Sequence, residues 1–361
     1  MAALETVMRI RLLLLAAVLS ASPLASTRAQ QGPKVLLLYD MEGVTDAIEP
    51  QAVEMGSPTY PAARESLTED VNAAIRGLVK AGASQIVLTD GHGSGNPDPD
   101  YLLDRLPQGT RFDMRTAPYD PYIEAMDDSF DAMVAIAMHG KAGGQAFLAH
   151  TYYGHTRWVM AGHDMNESML IAASAARFDI PLILVTGDDV LREEVNAFSP
   201  ATEYVTVKKA VSRWSAESRP RVEVSRDIEV AAERALRNMK NIRPWKPAEI
   251  AKPFENRFSY VLPEQAAVAS MFPHAEPVNN KTVKVVAPHF MDAYLTFRAL
   301  ATFTSFAGQR MLVSSIRELE GGRDVISKAE ARMPSREQRT FAPTASALDR
   351  GAIGPGRHGY R

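Results

Sequence analysis

Three apolar runs in this chain end in residues that can hold a metal ion. KVLLLYD leads into MEG and supplies Asp40 and Glu42. QIVLTD leads into GHG and supplies Asp90 and His92, and AMVAIAM leads into HGKAGG and supplies His139. Residues two apart on an extended chain point the same way, so Asp40 and Glu42 share a side and Met41 takes the other. Two acids converging with two imidazoles form a mixed oxygen and nitrogen donor set, suited to zinc or a similar divalent ion.

A fourth acid, Glu167, opens the run ESMLIAASAARF. Leu170, Ile171 and Ala175 lie three, four and eight positions after it, so the carboxylate shares their apolar face, although the polar Ser174 interrupts the stripe. A carboxylate on a buried face is costly unless it is paired or bound to an ion. Each feature alone has a plainer reading: solvated acids at a strand end, a hydrogen-bonded histidine, or an acid favouring a helix N-terminus. Their recurrence at three successive strand ends favours a metal site. The candidates exceed what one tetrahedral zinc with an open position uses, so a two-metal site with a shared carboxylate accommodates them better. Such a pair polarises a substrate carbonyl, which makes hydrolysis the leading reaction class. LAHTYYGHTRWVMAGHD offers His150, His155 and His163 as proton carriers.

The elements that must position these groups are legible in the same text. Lys34–Asp40 is continuously apolar, as a strand covered on both faces would be. Leu67, Val71, Ile75 and Leu78 recur at helical spacing over Ser66–Lys80, and Gly82 then stops the helix. Strands follow at Gln85–Asp90, Ala132–Met138 and Pro181–Asp189, with a helix over Glu167–Phe178 between the last two. The alternation predicts an α/β domain with a doubly wound, largely parallel sheet over residues 34–207. Ligands bind such sheets at the carboxyl ends of the strands, where the three endings would meet. Gly43 would let the chain turn sharply away from them. Residues 208–319 read as a second, smaller α+β domain, with a helix over Asp227–Met239, a proline-rich break, strands at FSYVL and TVKVV, and a helix near Met291–Phe303. Residues 320–361 show no sustained periodicity and read as a disordered tail.

Composition narrows the function classes. Among 361 residues, 40 Lys and Arg against 43 Asp and Glu give a formal net charge of −3. There is no basic surplus of the kind nucleic-acid binding favours. Residues 1–29 have the layout of a secretory signal peptide: Arg9 and Arg11, the short apolar run LLLLAAVLSA, then small and polar residues up to Ala29. That predicts a secreted or periplasmic protein, soluble after cleavage, because no later apolar run approaches spanning length. The chain has no cysteine, which excludes disulfides and agrees with export.

DMEG, DGHG, the His of MHGKA, the later His of LAHTYYG and the acid of HDMNES, in this order, resemble the zinc-dependent D-aminopeptidase family of DppA-type metallopeptidases. VTGDD and the Lys208, Ser212, Arg213 pattern also match. The resemblance runs from about Lys34 to Arg213 and more weakly to Phe303. It implies two zinc ions on Asp40, Glu42, His92, His139 and Glu167, with Asp40 bridging, and His150 as the catalytic histidine. It also implies a ring-shaped homo-oligomer, a decamer in the family, acting on short peptides that include D-amino acids. His155 and His163 receive no role, and His274, His289 and His358 are expected to be structural or surface residues. The family pattern departs at the residues before Glu167 and in the signal peptide and tail. The rival readings are another two-metal hydrolase, acting on a non-peptide amide or a phosphoester, and a non-catalytic exported metal-binding protein. The lack of clustered Arg and Lys near the acids argues against the phosphoester.

Overall fold

The computed structural model describes residues 32–94, 96, 98–113, 120–247 and 253–332. The expected signal peptide and the tail beyond residue 332, including His358, lie outside the described residues. The chain divides into two compact units, one ending at Phe254 and one beginning at Glu255.

The first unit is built on a seven-stranded sheet. In chain order its strands are β1 (Lys34–Tyr39), β2 (Gln85–Asp90), β3 (Thr110–Asp113), β4 (Ala132–Ile136), β7 (Leu182–Asp188), β8 (Glu203–Ser212) and β9 (Ser215–Ser218). Their spatial order is β3-β2-β1-β4-β7-β8-β9. All neighbours pair in parallel except the β8–β9 hairpin. Strand order therefore runs outward in both directions from β1 and β4, which is the doubly wound arrangement. Sheets of this kind bind ligands where the direction switches, beyond the carboxyl ends of those two strands.

The continuous apolar run of β1 is explained by cover on both faces. Val35, Leu37 and Tyr39 enter the core shared with helices α1 (Tyr60–Lys80) and α4 (Arg221–Arg237), and Leu36 and Leu38, pointing the other way, are equally buried. Helix α1 begins six residues before the expected start, with Pro61 in its first turn, where the absent N–H costs nothing. Helix α2 (Glu167–Ala176) is buried along its whole length rather than along one stripe. Helix α3 (Asp189–Phe198) follows β7 directly, capped by Asp188, whose side chain accepts from Leu191 N. Strands β5 (Thr156–Met160) and β6 (His163–Asp164) form a short antiparallel pair.

Two boundaries differ from expectation. β4 stops at Ile136 because Ala137 adopts a left-handed φ of 62°. The expected domain boundary after Val207 falls inside β8, whose pairing with β7 continues through Lys208, so β8, β9 and α4 belong to the first unit.

The second unit takes β10 (Phe254–Tyr260) from its second residue on, and contains α5 (Pro263–Ala269), the antiparallel pair β11 (Glu276–Asn279) and β12 (Thr282–Ala287), α6 (Phe290–Glu318) and α7 (Gly322–Arg332). Phe258 of β10 stacks on Phe297 of α6 at 6.1 Å. Helix α6 is far longer than the expected segment, and α7 places regular structure at the start of the expected disordered tail. No described helix is long and apolar enough to cross a membrane.

Candidate metal centre

The switch point between β1 and β4 is where the predicted ligands converge. Asp40 follows β1, and its N–H donates to Ile136 O at the end of β4 at 2.9 Å. Asp40 and Glu42 do face a common partner, but through a turn rather than strand alternation, since β1 ends at Tyr39 and Val44 N closes onto Met41 O at 3.1 Å. Gly43 is required by close approach. A Cβ there would lie 2.2 Å from Met138 O and 2.4 Å from Ala137 C, and one on Gly187 would lie 2.5 Å from the same Met138 O. The backbone leading to His139 thus passes between two glycines.

The carboxylates and imidazoles gather into three overlapping sets whose donor atoms lie within 4.8 Å of one another: Asp40 with Glu42 and His92, Asp40 with His139 and Glu167, and Glu42 with His139 and His150. Asp40 belongs to the first two sets. Each histidine has one ring nitrogen beside a backbone carbonyl: His92 Nε2 with Val53 O at 2.9 Å, His139 Nδ1 with Gly140 O at 3.0 Å, His150 Nδ1 with Leu148 O at 2.7 Å. A carbonyl only accepts, so these nitrogens carry the proton, and the other nitrogen of each ring faces the acids. His92 Nδ1 lies 3.0 Å from Asp40 Oδ1 and 3.2 Å from Glu42 Oε2, and His139 Nε2 lies 3.4 Å from Asp40 Oδ2 and 3.3 Å from Glu167 Oε1. His150 Nε2 stands farther off, 3.9 Å from Glu42 Oε1 and 3.8 Å from Glu167 Oε1.

This arrangement fits a cation. Glu42 Oε2 and His139 Nε2 are buried without a hydrogen bond, and lone pairs that face one another in a dry site repel unless positive charge lies between them. A ligating histidine commonly donates its second N–H to a carbonyl, as all three do here. The electrostatics agree. Burial alone would lower the pKa of His92, but Glu42 and Asp40 outweigh it and hold it well above the usual value; Glu167, Asp40 and Glu42 do the same at His139. Burial would raise the acids, yet the imidazoles hold Glu42 well below the usual range and Glu167 below it. Exposure separates the roles, since the His150 side chain is 23% exposed and that of His139 only 1%.

Several supports were not singled out in the sequence. Tyr122 donates its hydroxyl to Glu167 Oε2, and Tyr152 N donates to Glu167 Oε1 at 2.6 Å. Asn166 caps α2 through Met169 N and also donates to Glu194 Oε2, which accepts from Lys141 N beyond His139. Asp188 accepts from Phe147 N at 2.7 Å and so fastens the His150 loop to α3. Leu148 and Tyr152, on either side of His150, both adopt left-handed φ values, 51° and 62°. Such backbone in non-glycine residues costs energy and is retained where surrounding contacts impose it. No ligand-type pattern marks these positions, and only the elevated density of tyrosines near His150 is visible in the text.

The remaining candidates fall elsewhere. Asp90 is outside all three sets; it accepts from His92 N at 2.9 Å and Asp100 N at 3.2 Å, shaping the loop that carries His92. Burial and the neighbouring Asp100 push its pKa up to about 6. The His155 ring lies 5.7 Å from Tyr153, and His163 meets the Trp245 ring edge-on at 5.4 Å. His274 and His289 lie in the second unit.

A profile of the D-aminopeptidase family, peptidase family M55, matches residues 34–299. The chain belongs to this D-aminopeptidase family. It is 24% identical over 279 residues to a D-aminopeptidase of Bacillus subtilis (strain 168), covering 76% of this chain and 99% of that relative. In fold it is similar to a solved structure described as the Zn-dependent D-aminopeptidase DppA from Bacillus subtilis, a self-compartmentalizing protease, with a TM-score of 0.69 and 21% identity over 75% of this chain and 98% of that one. The M55 assignment makes the chain a peptidase, and its mixed α/β fold with a mostly parallel sheet is that of the solved relative.

Proposed function

We propose that this M55 chain is an exported aminopeptidase that uses two zinc ions to release the N-terminal residue of short peptides, those containing D-amino acids included. The observation that carries the reading is the membership of Asp40 in two ligand sets at once, one completed by Glu42 and His92 and the other by His139 and Glu167. The solved relative is described as zinc-dependent, and imidazole with carboxylate suits that ion. When bound, two zinc ions supply Lewis-acid polarisation of the scissile carbonyl.

The protein's own groups do the rest. Leu148 O fixes the His150 tautomer by accepting from Nδ1–H and leaves the Nε2 lone pair free as base or nucleophile. A histidine there accepts the proton of the attacking group and returns it to the departing amine, so water and peptide become an amino acid and a shortened peptide. Export is supported by the layout of residues 1–29, and a closed homo-oligomer by the self-compartmentalizing description of the solved relative. The test is elemental analysis of the purified mature protein combined with release assays on matched D- and L-alanyl peptides. Two zinc ions per chain with faster release from the D-peptides is expected. A single ion per chain, or no release from either series, overturns the proposal.

A further inference from the structure

Two side chains outside the ligand sets each hold one of their members, Lys208 the backbone of Glu42 and Tyr122 the carboxylate of Glu167. Lys208, in β8, is 1% exposed, and its ammonium donates to the carbonyls of Glu42, Val44 and Ala47, at 2.9 Å for Val44. Three donors meet three acceptors, all in the loop that carries Glu42. The face of Phe147 lies 4.4 Å below the ammonium. Burying an ammonium is expensive even with Asp188 and Glu42 acting on it, and an apolar side chain would fill the space without that cost. What the lysine provides is a fixed path for residues 42–47, which form no ladder with a neighbouring strand. Asp70 completes the clamp by accepting from Thr45 N at 3.1 Å and from the Thr45 hydroxyl.

Tyr122 works on the other set. Its ring is buried and its hydroxyl donates to Glu167 Oε2, fixing the carboxylate rotamer while Oε1 faces His139. Lys208 acts through the Glu42 backbone, and Tyr122 through Glu167.

We propose that Lys208 and Tyr122 are positioning residues for two different ions, Lys208 for the one held by Asp40, Glu42 and His92, and Tyr122 for the one held by Asp40, His139 and Glu167. The proposal rests on the two-ion reading above. Outer partners of metal ligands typically carry 10–100-fold in metal affinity, and here each would carry it for one ion only.

The test is titration of the metal-free full-length mature protein with Zn2+ against a chromophoric chelator, in Lys208→Met, Lys208→Gln and Tyr122→Phe, each alone and combined with His92→Ala. Wild type should show two binding steps. Lys208→Met should weaken one step about 10–100-fold and leave the other in place, with Lys208→Gln, which keeps two N–H donors, recovering part of the loss. In the His92→Ala background, where one ion remains, Lys208→Met should change nothing further, whereas Tyr122→Phe should weaken that ion. A role in general stability would lower both steps together, and that result overturns the proposal, as does weakening of the remaining ion by Lys208→Met. If Lys208→Met does not fold, Tyr122→Phe alone decides: equal weakening of both steps refutes the division. A single step in wild type would instead remove the two-ion reading itself.

Discussion

The rings of His139 and His150 stack, with centroids 4.0 Å apart and planes 12° apart. Eleven positions separate them in sequence, and His150 N closes the intervening loop onto Gly140 O at 3.1 Å. The stack directs both Nε2 atoms at Glu167 Oε1, His139 at 3.3 Å and His150 at 3.8 Å. One imidazole thus stands at ligand distance from the acids, and its neighbour, one ring spacing away, stands where a proton can be exchanged.

His150→Ala should therefore separate chemistry from binding. Zinc content should stay at the wild-type value while kcat falls about 10²–10⁴-fold, the range for loss of a positioned general base. Elemental analysis alongside steady-state kinetics reads both. Loss of an ion in this variant would make His150 a ligand through its set with Glu42 and His139.

Asp40→Ala should release both ions, because the carboxylate serves both sets, whereas His92→Ala should release one. Equilibrium dialysis with zinc gives the stoichiometries directly. Full retention in Asp40→Ala is incompatible with a shared carboxylate.

Asp70 gives a pH signature. Burial pushes its pKa from 3.8 up to about 7, against the bonds from Thr45. The native state then holds a proton that the unfolded state has lost, so this group's contribution to stability falls as pH rises from about 4 to about 7. Three pKa units correspond to about 4 kcal/mol over that window. Asp70→Asn should flatten the fall relative to wild type in urea denaturation at matched zinc. Parallel curves for the two proteins would contradict the assignment.

Gly43→Ala should destabilise the protein by about 1–3 kcal/mol or more, the cost of forcing atoms into a filled space. The new Cβ would press on the backbone of Ala137 and Met138, which no rotamer change relieves. Zinc content should fall with stability, since the displaced segment carries His139. Denaturation midpoints with unchanged m-values are the measurement.

Sequence periodicity located β2 to the residue and placed Asp40, Glu42, His92 and His139 at the ends of adjacent parallel strands, because buried strands and their exits leave strong local marks. What lay beyond reach depends on distant packing. Ala137 shortens β4 through a left-handed backbone that alanine does not announce. Lys208 matches the family pattern, but nothing in the text says what it holds; only the three carbonyls it meets explain why it is buried and Lys209 exposed. The division after Phe254 was hidden because β8 and α4 look like the start of a new domain until their partners, β7 and α1, are known.

The cage draws its walls from chain positions as far apart as Asp40, after a strand, and Glu167, on a helix, which meet only when the sheet has assembled. The set of Asp40, Glu42 and His92 is complete once β2 has paired with β1, whereas the set of Asp40, His139 and Glu167 waits until residue 167 has emerged and β4 has docked beside β1. Where a zinc finger clasps its ion locally and folds around it, the second set here would take an ion late, at a finished shape. Filling that set would belong to the end of folding, after the slow search for long-range strand partners is over.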